Sequence, residues 1–152
     1  MSSVINNTMK NQFGAARGVV RLSIYNAAGE LLRYEVRNNL VVDTGRALQA
    51  ALLGAAVNRF GVGTNGEAAA PADVAPLEDQ FAKAFAGVTY PDTRSVEFAF
   101  TLEANEFNGN TIREFALLAY VSPTYTLFAR QGGHDIAKTD QVRIEGTWTI
   151  TF

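Results

Sequence analysis

The sequence predicts a mainly β domain, an antiparallel β-sandwich or partly closed barrel with one short helix. Three observations carry this expectation. Apolar residues recur with period two in run after run. Turn residues interrupt those runs at intervals of about ten residues, the spacing of sandwich and barrel strands. Only one clear segment places apolar residues at helical spacing.

The elements follow in order. Residues 1–16 are polar, rich in Asn and Ser, and without a period. They read as an N-terminal arm that is either a frayed terminus or a segment ordering on a neighbouring subunit. Asn6, Asn7, Met9 and Phe13 are its candidate assembly contacts. Residues 17–152 read as a single β-sandwich domain. Val20, Leu22 and Ile24 alternate with polar neighbours; Asn26 to Glu30 supplies a turn; Leu32, Tyr34 and Val36 alternate again. This is the pattern of a β-hairpin. Ala47, Leu48, Ala51, Leu52 and Ala55 define a helix expected from Thr44 to Leu53, capped by Asp43 or Thr44 and ended by Gly54. Phe60 and Val62 suit a short strand, and the Gly- and Ala-rich stretch after them a loop. Residues 73–86 fit helix and strand equally. Alternation resumes at Val96, Phe98, Phe100 and Leu102, and again from Val142 to Phe152, whose last residue is expected to be packed. Ile112 to Tyr120 is almost continuously apolar, as in a strand covered on both faces.

Composition narrows the function classes. The chain has 152 residues, 47% of them hydrophobic, with ten Phe, five Tyr and one Trp. That suffices for a single core without staples. The absence of cysteine removes disulfides, thiolate-bound zinc and a thiol nucleophile. With 13 basic and 15 acidic residues and no polybasic run, nucleic acid is not an expected partner. The first residues lack the cationic and apolar regions of a secretory signal, and no apolar run reaches membrane-spanning length, so no membrane partner is expected.

No constellation of catalytic type stands out, and neither an enzyme activity nor a cofactor is expected. Gly61, Gly63 and Gly66 match G-x-G-x-x-G, but Glu67 to Pro71 does not open a helix within a βαβ unit. A turn whose glycines supply positive φ is the better expectation. His134 is the only histidine, in a Gly-rich loop where exposure is ordinary. Glu97 and Glu103 share a strand face but stand roughly 20 Å apart at strand rise, too far for paired-acid chemistry. Glu103, Glu106 and Glu114 are expected on a wet sheet edge. Aromatic residues near turns, Phe107, Tyr120 and Tyr125, suit sugar stacking, interface anchoring or the core margin equally; Tyr120 and Tyr125 are further candidate assembly contacts.

One resemblance adds to this reading. Asn39 to Arg46 entering a helix, Phe60 to Thr64, Asn108 to Leu118, Leu127 to Arg130, Ile136 to Thr139 and Ile144 to Phe152 follow one another. This order resembles small bacteriophage virion structural proteins, in particular attachment domains of tail-fibre and tail-collar proteins. The resemblance implies a non-enzymatic β module, made in the host cytoplasm and located in the virion, whose partners are itself, as a homo-oligomer, and other virion proteins. Tail fibres continue into a shaft and tip, whereas this sequence stops at Phe152. The expectation is therefore a small tail or baseplate component or a capsid decoration (cement) protein. A carbohydrate-binding module is the alternative of another class, with a glycan as partner.

Overall fold

The computed structural model describes residues 18–152, so Asn6, Asn7, Met9 and Phe13 of the expected arm lie outside the described residues. Among the described residues the architecture is mainly β, with one helix and several antiparallel sheets in a sandwich-like arrangement, and no barrel closes. Its elements are β1 (Gly18–Tyr25), β2 (Leu31–Asn39), α1 (Asp43–Ala56), β3 (Arg59–Gly63), β4 (Phe81–Lys83) and β5 (Gly87–Thr89). They continue as β6 (Ser95–Leu102), β7 (Asn110–Ile112), β8 (Glu114–Val121), β9 (Thr124–Gln131), β10 (Ile136–Lys138) and β11 (Ile144–Thr151).

Two sheets hold the core. One has the order β4-β3-β8-β9 and the other β11-β6-β5; β7 pairs with β10, and β1 with β2. Phe60 and Val62 of β3 and Phe115 and Leu117 of β8 meet Val96, Phe98 and Leu102 of β6, with Trp148 packed across the junction. Aromatic rings fill much of this space: Phe85 and Phe98 are centred 4.8 Å apart, and Phe60 and Phe100 5.0 Å apart. The opposite face of β8 is also covered, because Ala116 and Leu118 pack under Leu77 from the long loop between β3 and β4. Double coverage is why β8 has no polar alternation.

The helix departs from its expected bounds. It runs to Ala56, and Val42 occupies the N-cap without a side-chain bond, so neither Asp43 nor Thr44 caps it. Asp43 is instead an acidic group in the first turn, where the helix dipole favours it. Gly54 lies inside the helix rather than ending it. A Cβ there would collide with the Tyr90 hydroxyl, so glycine answers to close packing instead of to termination. Residues 73–86 form no helix: β4 covers 81–83, because Phe81 and Lys83 pair with β3 and Phe81 joins the core margin.

The expected hairpin is present, and Gly29 turns it with φ +86°. Asn26 stabilises the turn by accepting from the amides of Ala28 and Glu30. Its register carries a consequence that period two alone conceals. Val20, Leu22 and Ile24 lie opposite Arg37, Glu35 and Arg33, whereas Tyr34 and Val36 lie opposite Ser23 and Arg21. Directly opposed residues share a face. Each face of the ribbon therefore carries one apolar row and one polar row, and neither face is wholly wet.

Candidate functional site

Two features have no internal partner among the described residues, and they are the candidates for function. The first is the hairpin. Among the described residues it pairs with no third strand, and neither β1 nor β2 contributes to a buried core cluster. Val19, Val20, Leu22, Tyr25, Leu31, Leu32, Tyr34 and Val36 are 43–61% exposed. A two-stranded ribbon is at best marginally stable alone in water, and exposed apolar rows on both of its faces mark an interaction site.

The second is the outer edge of β11. That strand pairs with β6 in unbroken register and, among the described residues, with nothing on its other side. The Phe152 amide donates to the Arg94 carbonyl at 3.0 Å, which fixes the phase of the ladder. Even-numbered residues bond to β6, and the peptide groups of Glu145, Thr147, Thr149 and Thr151 point outward. Beside this edge runs a groove of about 400 Å³, floored by Phe100, Phe115, Ile136 and Trp148 and rimmed by Gln131 and His134.

His134 is therefore half-buried, not exposed as expected. Its ring stands edge-on to Phe115 at 4.8 Å and its Nε2 lies 2.9 Å from Gln131 Oε1. The backbone holds it there, since its amide donates to the Arg113 carbonyl. Among the described residues, no three His, Asp or Glu side chains converge as a metal site.

The acidic residues separate. Glu114 is not on a wet edge: it is 1% exposed. Arg130 Nε donates to its Oε2 at 2.6 Å, and the amides of Asn65 and Glu78 donate to its Oε1. The rest of the Arg130 guanidinium donates to Asp73 and to the carbonyls of Asn65 and Glu67. Burial opposes the guanidinium charge, but the bond to Glu114 and the nearby Glu114 and Asp73 carboxylates outweigh it and raise the Arg130 pKa. Four of the five guanidinium N–H groups are used, so this cluster pins the loop after β3 to the sheet. Sequence reasoning missed it because its members are far apart in the chain. Gly63 was the available signal: a Cβ there would collide with the Glu114 carboxylate. Gly61 and Gly63 are strand residues chosen for close approach, not for positive φ, and no helix follows Gly66. That removes the phosphate-loop geometry.

Lys138, 1% exposed, performs a similar task. Its Nζ donates to the carbonyls of Ala104 and Thr139 and to Asn108 Oδ1, holding the turn between β6 and β7. In the same turn Glu106 accepts from Lys83 Nζ and from the Glu103 amide, both at 2.8 Å. Burial raises the Glu106 pKa, but these bonds and the charges of Lys83 and Lys138 prevail and lower it. A depressed carboxylate stabilises the fold above its unfolded pKa of about 4.3, and that stabilisation disappears as pH falls through the folded value. Between pH 6 and pH 3, wild type is expected to lose about 0.5–1 kcal/mol more than Glu106→Gln, a modest value because the pair is partly solvated. Urea midpoints at the two pH values measure the difference; equal losses contradict it.

Tyr120 and Tyr125 come together, opposed across β8 and β9 with rings stacked at 4.5 Å. The Arg59 guanidinium sits 5.6 Å from the Tyr120 ring centre. The Asn58 side chain bonds both the amide and the carbonyl of Tyr120, extending the β3–β8 ladder. Tyr125 also packs against the Leu77, Ala116 and Leu118 cluster. Both rings are half-buried, as is Phe107, which packs on Phe81. Tyr125 and Phe107 lie at the core margin. Compared with known protein families, curated proteins and solved structures, the chain matches none.

Proposed function

We propose that this chain is a non-enzymatic structural component of a bacteriophage virion, docking in the tail or baseplate as a homo-oligomer that also grips other virion proteins. The observation that carries the assembly role is the β1–β2 hairpin, an apolar ribbon standing outside the core clusters. Apolar surface is worth about 25 cal/mol per Å² when covered, so a protein partner gives the ribbon the stability that its own domain does not supply. The virion setting is drawn from the sequence resemblance. The two buried ion clusters fit the same role, since their charged groups are consumed in tying loops to sheets.

Immunogold labelling of particles purified from a lysate of the source tests the setting. Label at the tail is expected; label on the shell would instead favour a capsid decoration protein, and particles free of label would overturn the virion reading. Leu22→Glu combined with Tyr34→Glu puts a charge on each face of the ribbon. Incorporation should be lost, with the melting temperature of the isolated protein within about 2–4 °C of wild type, because exposed substitutions change stability by about 0.5 kcal/mol. Incorporation at the wild-type level would dismiss the hairpin as the docking element.

A further inference from the structure

We propose that copies of this chain join by strand addition, with the β1–β2 hairpin of one copy pairing along the free edge of β11 in the next. This rests on the assembly reading above and names the two surfaces that meet.

The edge of β11 is the receiving half. Four consecutive outward peptide groups, those of Glu145, Thr147, Thr149 and Thr151, have no ladder partner among the described residues. Exposed edges are ordinarily defended by charge, proline or a bulge. From Gly146 to Thr151 this edge has none of the three. An arriving strand gains main-chain bonds from such an edge and specificity from adjacent pockets for its alternate side chains. The pocket is present: the groove over Phe100, Phe115, Ile136 and Trp148 runs beside the edge.

The hairpin is the donating half. β1 and β11 are each eight residues long, so one can pair with the whole length of the other. With Val20, Leu22 and Ile24 turned to the groove, the row that the register leaves beside charged residues is covered by aromatic side chains. Arg21 and Ser23 then remain on the wet face, alongside Glu145, Thr147 and Thr149.

A second copy is the occupant because the same chain carries both halves of the contact, each without a partner among the described residues. The side-chain contact is the β1 row of Val20, Leu22 and Ile24, and pairing of two eight-residue strands supplies the main-chain bonds. Reciprocal exchange closes the contact as a two-fold dimer, and one-way exchange propagates it as a ring or a filament.

The sequence has no cysteine, which makes the test direct. Ser23→Cys and Thr149→Cys are prepared separately, both at exposed positions, mixed in equal amounts and treated with a short bis-maleimide. Mixed dimers are expected to exceed either self-linked dimer by at least about tenfold. Predominant linking of Ser23→Cys to itself, which marks hairpin-to-hairpin contact, would overturn the proposal. So would predominant linking of Thr149→Cys to itself, which marks β11-to-β11 pairing, or absence of linking with monomeric sedimentation. Thr149→Pro removes one outward amide and leaves the bonds to β6, since proline is tolerated on an edge strand. It should weaken self-association at least about tenfold while circular dichroism and melting stay near wild type; folded protein with undiminished association refutes the pairing. Failure of the cross-link in a protein that still labels particles rejects the pairing alone. Correct pairing in a protein missing from particles rejects the virion reading alone.

Discussion

Glu114→Ala is expected to destabilise the domain by about 3–5 kcal/mol, the cost of leaving a buried charge without its counter-ion. The Arg130 side chain is 5% exposed and Glu114 1%, and their bond is 2.6 Å long. Removing the carboxylate strands the Arg130 Nε and also the amides of Asn65 and Glu78. The damage should localise in the loop between β3 and β4, which that carboxylate anchors at both of those positions. Urea unfolding gives the magnitude, and limited proteolysis should reveal new cleavage between residues 64 and 80. Arg130→Ala alone should be similarly costly, because it leaves Glu114 buried and unpaired. The double variant should cost less than the two singles together, since groups in one network do not add. A single-variant loss under about 1 kcal/mol would mean that water takes the place of the missing partner.

Trp148→Ala is expected to cost about 3 kcal/mol, the lower end for loss of a large aromatic, because the ring is half-buried rather than enclosed. Trp148 packs against both halves of the core, touching the cluster around Phe98 and the cluster around Phe60. Thr147→Ala, one position away on the exposed face, should change stability by no more than about 0.5 kcal/mol. The contrast is the informative quantity. The urea midpoint should fall for Trp148→Ala with an unchanged slope, as expected when the unfolded state is unaffected. Equal effects at the two positions would place β11 in the wrong phase.

The strands most legible in the sequence were those that present a single buried face. β6 and β11 alternate because one side of each meets the core and the other does not, and their phase was readable from Val96, Phe98, Trp148 and Ile150. β8 was readable for the opposite reason: coverage on both sides leaves nothing polar between Phe115 and Ala119. The three-residue strands β4, β5, β7 and β10 were poorly legible. A strand that short has too few positions to establish a period, and its existence depends on a neighbour offering a free edge. Gly54 and Gly63 misled for a related reason. Their meaning lies in the Tyr90 hydroxyl and the Glu114 carboxylate, groups remote in sequence.

The candidate surfaces divide in the same way. The hairpin was evident locally, from two alternating runs and the turn at Asn26 to Gly29. That its apolar rows fall on opposite faces was not, because cross-strand register couples residues whose separation no local window contains. The groove beside β11 and the partnership of Glu114 with Arg130 are likewise products of assembly in space. By itself, the sequence determined the β class, the long strands and their phases, and the presence of the helix that follows β2, since those follow from periodicity and turn chemistry within a few residues. The tertiary structure alone decided which charges are buried, which glycines are close contacts and which edge and ribbon lack a partner among the described residues. Each of these depends on distance between elements far apart along the chain.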